Sequence, residues 1–256
     1  MPHTRRPRKP DSKLQQQKRL QVTDADGWTH VTTNQNVRRA LRPNQSADGG
    51  QSSTPALLPA EAPSQLTLDD LQTQFNGYRE RWEGSETWRV MADTLRTRFE
   101  ESSSIADSDP RATSLKNIVC IGLGSPSGFL RGGWVDRRSV SLYQLAALVG
   151  VTELMKKYHP SITAYAQDPV FNQLDRSLLK TLGITVLDHP EGFAKVSDRS
   201  FLYCPGAERT HLEQLLGIES EVVNRYLGAR ESVRVPTFES NEHAFWNMRL
   251  YLLKKE

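Results

Sequence analysis

The stretch that most constrains what this chain can fold into is Asn117 to Gly128, NIVCIGLGSPSG, a short apolar run that ends in two closely spaced glycines. Ile118, Val119, Cys120 and Ile121 suit a strand buried on both faces, the pattern of a parallel sheet covered by helices. Gly122 and Gly124 can then take backbone angles that a side chain forbids, or let another group approach the main chain. Such strand-to-turn junctions open ligand sites.

A parallel sheet needs crossover helices, and the residues that follow supply them. Ser139 to Tyr158 reads as a helix with Leu142, Leu145, Ala146, Val149 and Leu154 on one side. Ile162 to Ala166 reads as a strand, and Asn172 to Leu182 as a helix closed by Gly183 in the position after the C-cap. Ile184 to Leu187 and Ser200 to Tyr203 are two more strands, and Thr210 with Glu213 has capping-box spacing for a helix ending at Gly217. The expected architecture is α/β, a Rossmann-like doubly wound fold with a mainly parallel sheet. Ala244 to Leu252 is expected as the last strand, with Phe245 and Trp246 packed inside.

Two amphipathic helices precede this unit. Leu68, Leu71, Phe75, Tyr78 and Trp82 recur at three- and four-residue steps, then Trp88, Met91, Leu95 and Phe99, with Thr67 and Ser85 where N-caps belong. This aromatic stripe is read as core packing. The domain boundaries that follow are 1–64, 65–110 as a helical extension, and 111–256 as the α/β domain.

Region 1–64 is expected to be disordered. Residues 1–20 carry seven Lys or Arg against Asp11, a charge of +6, so the other residues balance to −3 in a chain of +3. From Arg42 to Ser64 the chain is rich in Pro, Ser, Gln, Gly and Ala, too poor in large apolar groups to offset the entropy of ordering. The basic tail has no aromatic residues for base stacking, so nucleic acid is not expected beyond loose tail contacts; RRPRK can also serve as a nuclear import signal. One island, DGWTHV at 26–31, is either incidental or a short anchor for a partner. No apolar run approaches the roughly 20 residues that span a bilayer, and no apolar segment follows the first methionine. A cytoplasmic or nuclear protein without membrane contact is expected, and two cysteines without a disulfide framework fit a reducing compartment.

Complete catalytic signatures are missing. The fingerprint G-x-G-x-x-G fails because Ser127 stands where its third glycine belongs. No Gly-Lys-Ser/Thr ends the turn, and neither Ser125 nor Ser127 is flanked by glycines two residues away on both sides. The six histidines lack metal-ligand spacing, so no metal is expected.

The remaining signal is positional. Ligands in parallel α/β sheets bind beyond the carboxyl ends of the strands, where this chain places Gly122-Leu123-Gly124-Ser125, Asp168-Pro169, Asp188 and Cys204-Pro205-Gly206. Asp168 can accept from ribose hydroxyls, while Gly124 and Ser125 offer backbone donors to an anionic group. The alternative is that Asp168 caps its turn and the glycines only reverse the chain. Fourteen residues, Ser125 to Arg138, precede the long helix, which argues against its N-terminus sitting at the turn. Cys204-Pro205 invites haem ligation, against burial of Cys204 as a small apolar residue.

These residues resemble the sensitivity-to-red-light-reduced (SRR-like) domain family in its fungal form. The resemblance rests on IVCIGLGS at 118–125, Ser141, Gln144 and Leu145 in the following helix, AQDPVF at 166–171, Leu182 to Leu187, and FLYCPGAE at 201–208, and covers about residues 115 to 256. DGWTHV is similar to a short Trp motif near the N-terminus of such proteins. The resemblance implies a regulator linked to circadian or light input, or to haem biosynthesis, with an unidentified protein partner and no implied reaction or known cofactor. It departs at IESEVVNRYL, 218–227, where the family has an apolar strand and this segment is too charged for a central one. The candidate ligand rim is Gly122, Gly124, Ser125, Gln144, Asp168 and Asp188. Two rival readings stay open: an enzyme binding a small nucleoside-type ligand, such as an S-adenosylmethionine-dependent methyltransferase, and a scaffold acting through the N-terminal tail.

Overall fold

The computed structural model describes residues 20–23, 29–32, 59–105, 115–129, 136–197, 199–206 and 230–253. The chain divides into two units, residues 1–54 and 55–256. In the first, β1 (Leu20–Thr23) and β2 (Thr29–Thr32) pair antiparallel, with Leu20 opposite Thr32 and Thr23 opposite Thr29. The other residues expected to be disordered lie outside the described residues as far as position 58, Trp28 among them.

In the second unit the caps read from sequence are in place. The Thr67 hydroxyl accepts the Asp70 N–H at 3.1 Å and the Asp70 carboxylate accepts the Thr67 N–H at 3.2 Å, starting α1 (Leu68–Glu83). The Ser85 hydroxyl accepts the Trp88 N–H at 3.1 Å and starts α2 (Glu86–Ile105). The inward faces of both helices, with Leu71, Phe75, Trp82, Met91 and Leu95, share one core cluster with Ile118 and Cys120 of the sheet. Residues 65–105 are therefore a wall of the domain and not an appendage to it. Trp82 fastens this wall to the distant end of the chain, its ring 5.3 Å from that of Phe238 and 4.6 Å from that of Phe245.

Four parallel strands make the sheet, in the order β5-β4-β3-β6. They are β3 (Asn117–Ile121), β4 (Thr163–Gln167), β5 (Ile184–Val186) and β6 (Ser200–Tyr203). Cys120 lies between Ala166 and Tyr203 in register. Helix α3 (Arg137–Tyr158) joins β3 to β4, and α4 (Gln173–Thr181), capped by Asn172, joins β4 to β5. Gly183 follows α4 at φ 72°, in the left-handed region expected of it. Residues 141–152 of α3 are all buried, because α3 lies between the sheet and the pair α1 and α2.

The two sheet faces are unequal. Alternation along β3 turns Ile118 and Cys120 to the helical side, and Val119 and Ile121 to a smaller cluster with Phe193, Val196, Leu202 and Cys204. That cluster includes residues of α5 (Glu191–Lys195) and its C-cap.

The C-terminal part differs from expectation. β7 (Arg230–Arg234) and β8 (Arg249–Leu253) form a separate antiparallel pair, and residues 242–247 make a turn, so only the end of the strand expected over 244–252 is extended. Ala244 and Phe245 are buried, but Trp246 is 68% exposed, so only half of the expected packing occurs. Asn247 at φ 52° interrupts the extended backbone. The capping-box helix at 210–217 and the charged segment 218–227 lie outside the described residues.

Candidate functional site

Strand order locates the site. From β3 the chain steps to β4 on one side, and β6 later returns to the other side of β3, so the order reverses between β3 and β6. Ligands of open α/β sheets occupy the crevice beyond the strand ends at this point. Here it is bounded by Gly122, Leu123 and Gly124 after β3 and by Cys204, Pro205 and Gly206 after β6.

Its glycines are required. Gly122 and Gly124 have φ of 76° and 73°. A Cβ on Gly124 would lie 2.4 Å from the Ser141 hydroxyl, and one on Gly206 2.5 Å from the Gly122 carbonyl oxygen. The second turn of α3, at Ser141, thus lies against Gly124 despite the fourteen intervening residues, while no contact brings the N-cap Asp136 to the glycine turn among the described residues.

Asp168 and Gly124 are brought together. Asp168 Oδ2 accepts the Gly124 N–H at 2.7 Å, and its Oδ1 accepts the Val170 N–H at 3.0 Å. The carboxylate so placed caps its own turn and ties the end of β4 to the end of β3. Ser125 is adjacent but faces inward, 3% exposed. Its hydroxyl donates to Asp175 at 2.6 Å and accepts the Gly128 N–H at 2.8 Å.

Asp175 was not singled out in the sequence, yet it organises this corner. Fully buried, it also accepts the Ser127 N–H at 2.8 Å and the Asn172 N–H at 3.1 Å. Its available signal was the Asn172-x-x-Asp175 capping box, a pattern that ordinarily marks an exposed helix start.

Gln144 and Asp188 do not join the cluster. The buried Gln144 amide donates to the Ala244 carbonyl at 2.8 Å, and its main-chain oxygen accepts the Tyr203 hydroxyl at 3.0 Å. Asp188 follows β5 at the far edge of the sheet and pairs with Arg176 at 2.6 Å in the open. Buried Gln167, which no local pattern marks, accepts the Gly192 N–H on its Oε1 at 2.7 Å and holds α5 to the sheet.

Residues 59–61, inside the stretch read as disordered, cross this rim. The Ala60 N–H donates to Val170 at 2.8 Å, Asn172 Nδ2 donates to the Ala60 carbonyl at 3.0 Å, and the Phe129 N–H donates to the Glu61 carbonyl at 3.1 Å. The sequence boundary at 64 falls too late because these bonds use Ala60 and Glu61 main-chain groups, which carry no compositional mark.

Burial pushes the Cys204 thiol up to about 12, against a smaller opposing contribution from the Ile121 N–H, and raises the fully buried Cys120 thiol well above its ordinary value. Both are therefore protonated near neutrality, the wrong state for nucleophile or metal ligand. Among the described residues no group of His, Cys, Asp and Glu is placed to hold a metal, and no helix is long and apolar enough to cross a membrane.

No curated protein and no solved structure matches the chain. A family model, the SRR1 domain, matches residues 91–252, from within α2 into β8, and includes the glycine turn, Asp168 and Cys204. That span is more than half of the sequence, and the chain belongs to the SRR1 domain family.

Proposed function

We propose that this protein is a regulator without catalysis of its own, acting through a protein partner in the cytoplasm or nucleus. The pathway proposed is one of circadian or light input, or of haem biosynthesis, as the family resemblance implies. The observation that carries this reading is the internal commitment of polar side chains around the rim. Asp168 holds two backbone N–H groups, and Ser125 is locked between Asp175 and Gly128. A general base or nucleophile needs reach toward a substrate, which these contacts do not offer. Haem ligation by Cys204 is disfavoured by the same burial that keeps its thiol protonated.

The second reading, a nucleoside-cofactor enzyme, is favoured by the approach of α3 to Gly124 at the reversal of strand order. In this reading the turn receives the anionic end of the ligand and Asp168 the ribose. Thermal unfolding of the purified protein with S-adenosylmethionine, S-adenosylhomocysteine, NAD, ATP and haem separates the two, since a ligand selective for the native state raises its melting temperature. The regulator reading expects no shift. A shift with an adenosyl compound that vanishes in Asp168→Ala, followed by turnover of that compound, overturns it.

A further inference from the structure

The outward face of the β7–β8 hairpin has a composition that its own packing does not explain. Alternation puts Ser232, Arg234, Arg249 and Tyr251 on one face. The other face meets the body: Leu250 packs on the core and Glu231 pairs with Arg98 of α2. On the outward face Arg234 and Arg249 stand directly opposite each other, both exposed, a cross-strand placement of like charges that weakens a hairpin.

Their hydrogen-bond partners are neutral. Arg249 donates from Nε and Nη2 to the Ser232 hydroxyl at 3.1 and 2.9 Å, and Arg234 Nη2 to Asn247 Oδ1 at 3.4 Å. No carboxylate among the described residues pairs with either guanidinium. The Asn247 contact places the arginines beside the turn that carries Trp246, 68% exposed, and Tyr251 is 44% exposed on the same hairpin. Trp, Tyr and Arg are the residues that dominate binding energy at protein interfaces.

We propose that this face docks an acidic segment of another protein, whose carboxylates take the Arg234 and Arg249 guanidiniums while an apolar side chain covers Trp246. Arginine forks match carboxylates in this way. A second copy of the chain is a poor occupant, because a two-fold contact through this face sets arginine against arginine. Nucleic acid is also less suited: two guanidiniums give little purchase on a phosphate backbone, and the chain beyond its first 20 residues has a net charge of −3. Arg234, Trp246 and Arg249 take part in neither reading of the strand-end rim.

The test selects binders to the full chain from a displayed library of random 12-residue peptides, then measures the affinity of the enriched peptides for variants. Expected are peptides rich in Asp and Glu with an aromatic or branched residue, each bound at least tenfold more weakly by Trp246→Ser and by Arg234→Glu. The latter sets Glu opposite Arg249 and should hold or raise the melting temperature, which separates lost docking from lost folding. Enrichment without acidic residues, or acidic peptides that bind both variants as tightly as the parent, overturns the proposal. Binding of a U12 oligonucleotide, lost in the same variants and stronger than that of any selected peptide, overturns it in favour of nucleic acid.

Discussion

Ser125 and Asp175, 50 positions apart in sequence, share a 2.6 Å hydrogen bond inside the protein, and through it the turn after β3 is fixed to the start of α4. The same carboxylate accepts two backbone N–H groups. Removing it strands several buried donors at once, which costs far more than the net value of one hydrogen bond. Asp175→Ala should lower stability by about 3–5 kcal/mol, since each buried donor left without an acceptor costs about 1–3 kcal/mol. Urea unfolding checks this, and a loss below about 1 kcal/mol would mean that the donors find water instead.

Gly124 and Gly183 have nearly the same φ, 73° and 72°, but only Gly124 faces a neighbour. Gly183→Ala should cost about 1–2 kcal/mol, the left-handed penalty alone. Gly124→Ala should cost more, because its Cβ meets the Ser141 hydroxyl, and the excess should shrink in Gly124→Ala/Ser141→Ala, where the remaining contact is an ordinary 3.6 Å. Equal unfolding midpoints for the two single variants would show that α3 yields freely.

Burial of the thiols makes stability fall in alkali. Cys204 titrates at its ordinary 9.0 when unfolded and at about 12 when folded, so between those values the unfolded chain loses a proton that the folded chain keeps. The contribution is intact below pH 9 and declines from there toward 12; Cys120 and Tyr203, both raised by burial, act in the same direction. Denaturation midpoints measured from pH 8 to 11 should fall, and less steeply in Cys204→Ala. At pH 8 a thiol reagent should leave the buried Cys120 unlabelled until the protein unfolds and should react only slowly with the half-buried Cys204.

A chain beginning at residue 55 should melt at a higher temperature than one beginning at 65. The longer form keeps the bonds of Ala60 and Glu61 to Val170, Asn172 and Phe129. Amide exchange at Gly128 and Phe129 should quicken in the shorter form. Identical melting curves and exchange would show that these bonds add nothing to the turn.

Legibility followed the range of the interactions. Thr67, Ser85 and Gly183 could be read because caps depend on residues within one turn, and β3 because four apolar residues in a row have few other uses. Gln144 could not be assigned a direction, since its helix is buried around its whole circumference and periodicity no longer distinguishes faces. Asp188 was drawn to the rim by its place after a strand; strand order, which puts β5 at the edge, is a nonlocal fact. Asp175 presented a local capping pattern while its decisive partners lay at 125 and 127. AFWNM has the apolar pattern of a strand, but the chain turns over 242–247 with Asn247 in the left-handed region, and Trp246 is exposed.

The contact of Gly206 with the Gly122 carbonyl shapes how the crevice can be interrogated. Where main chain lies on main chain, the informative residues are the ones with nothing to remove. Alanine replacement there adds an atom instead of deleting one, so it reports damage to the fold before it reports loss of recognition. Chemistry at this place is therefore better varied on the incoming molecule than on the protein.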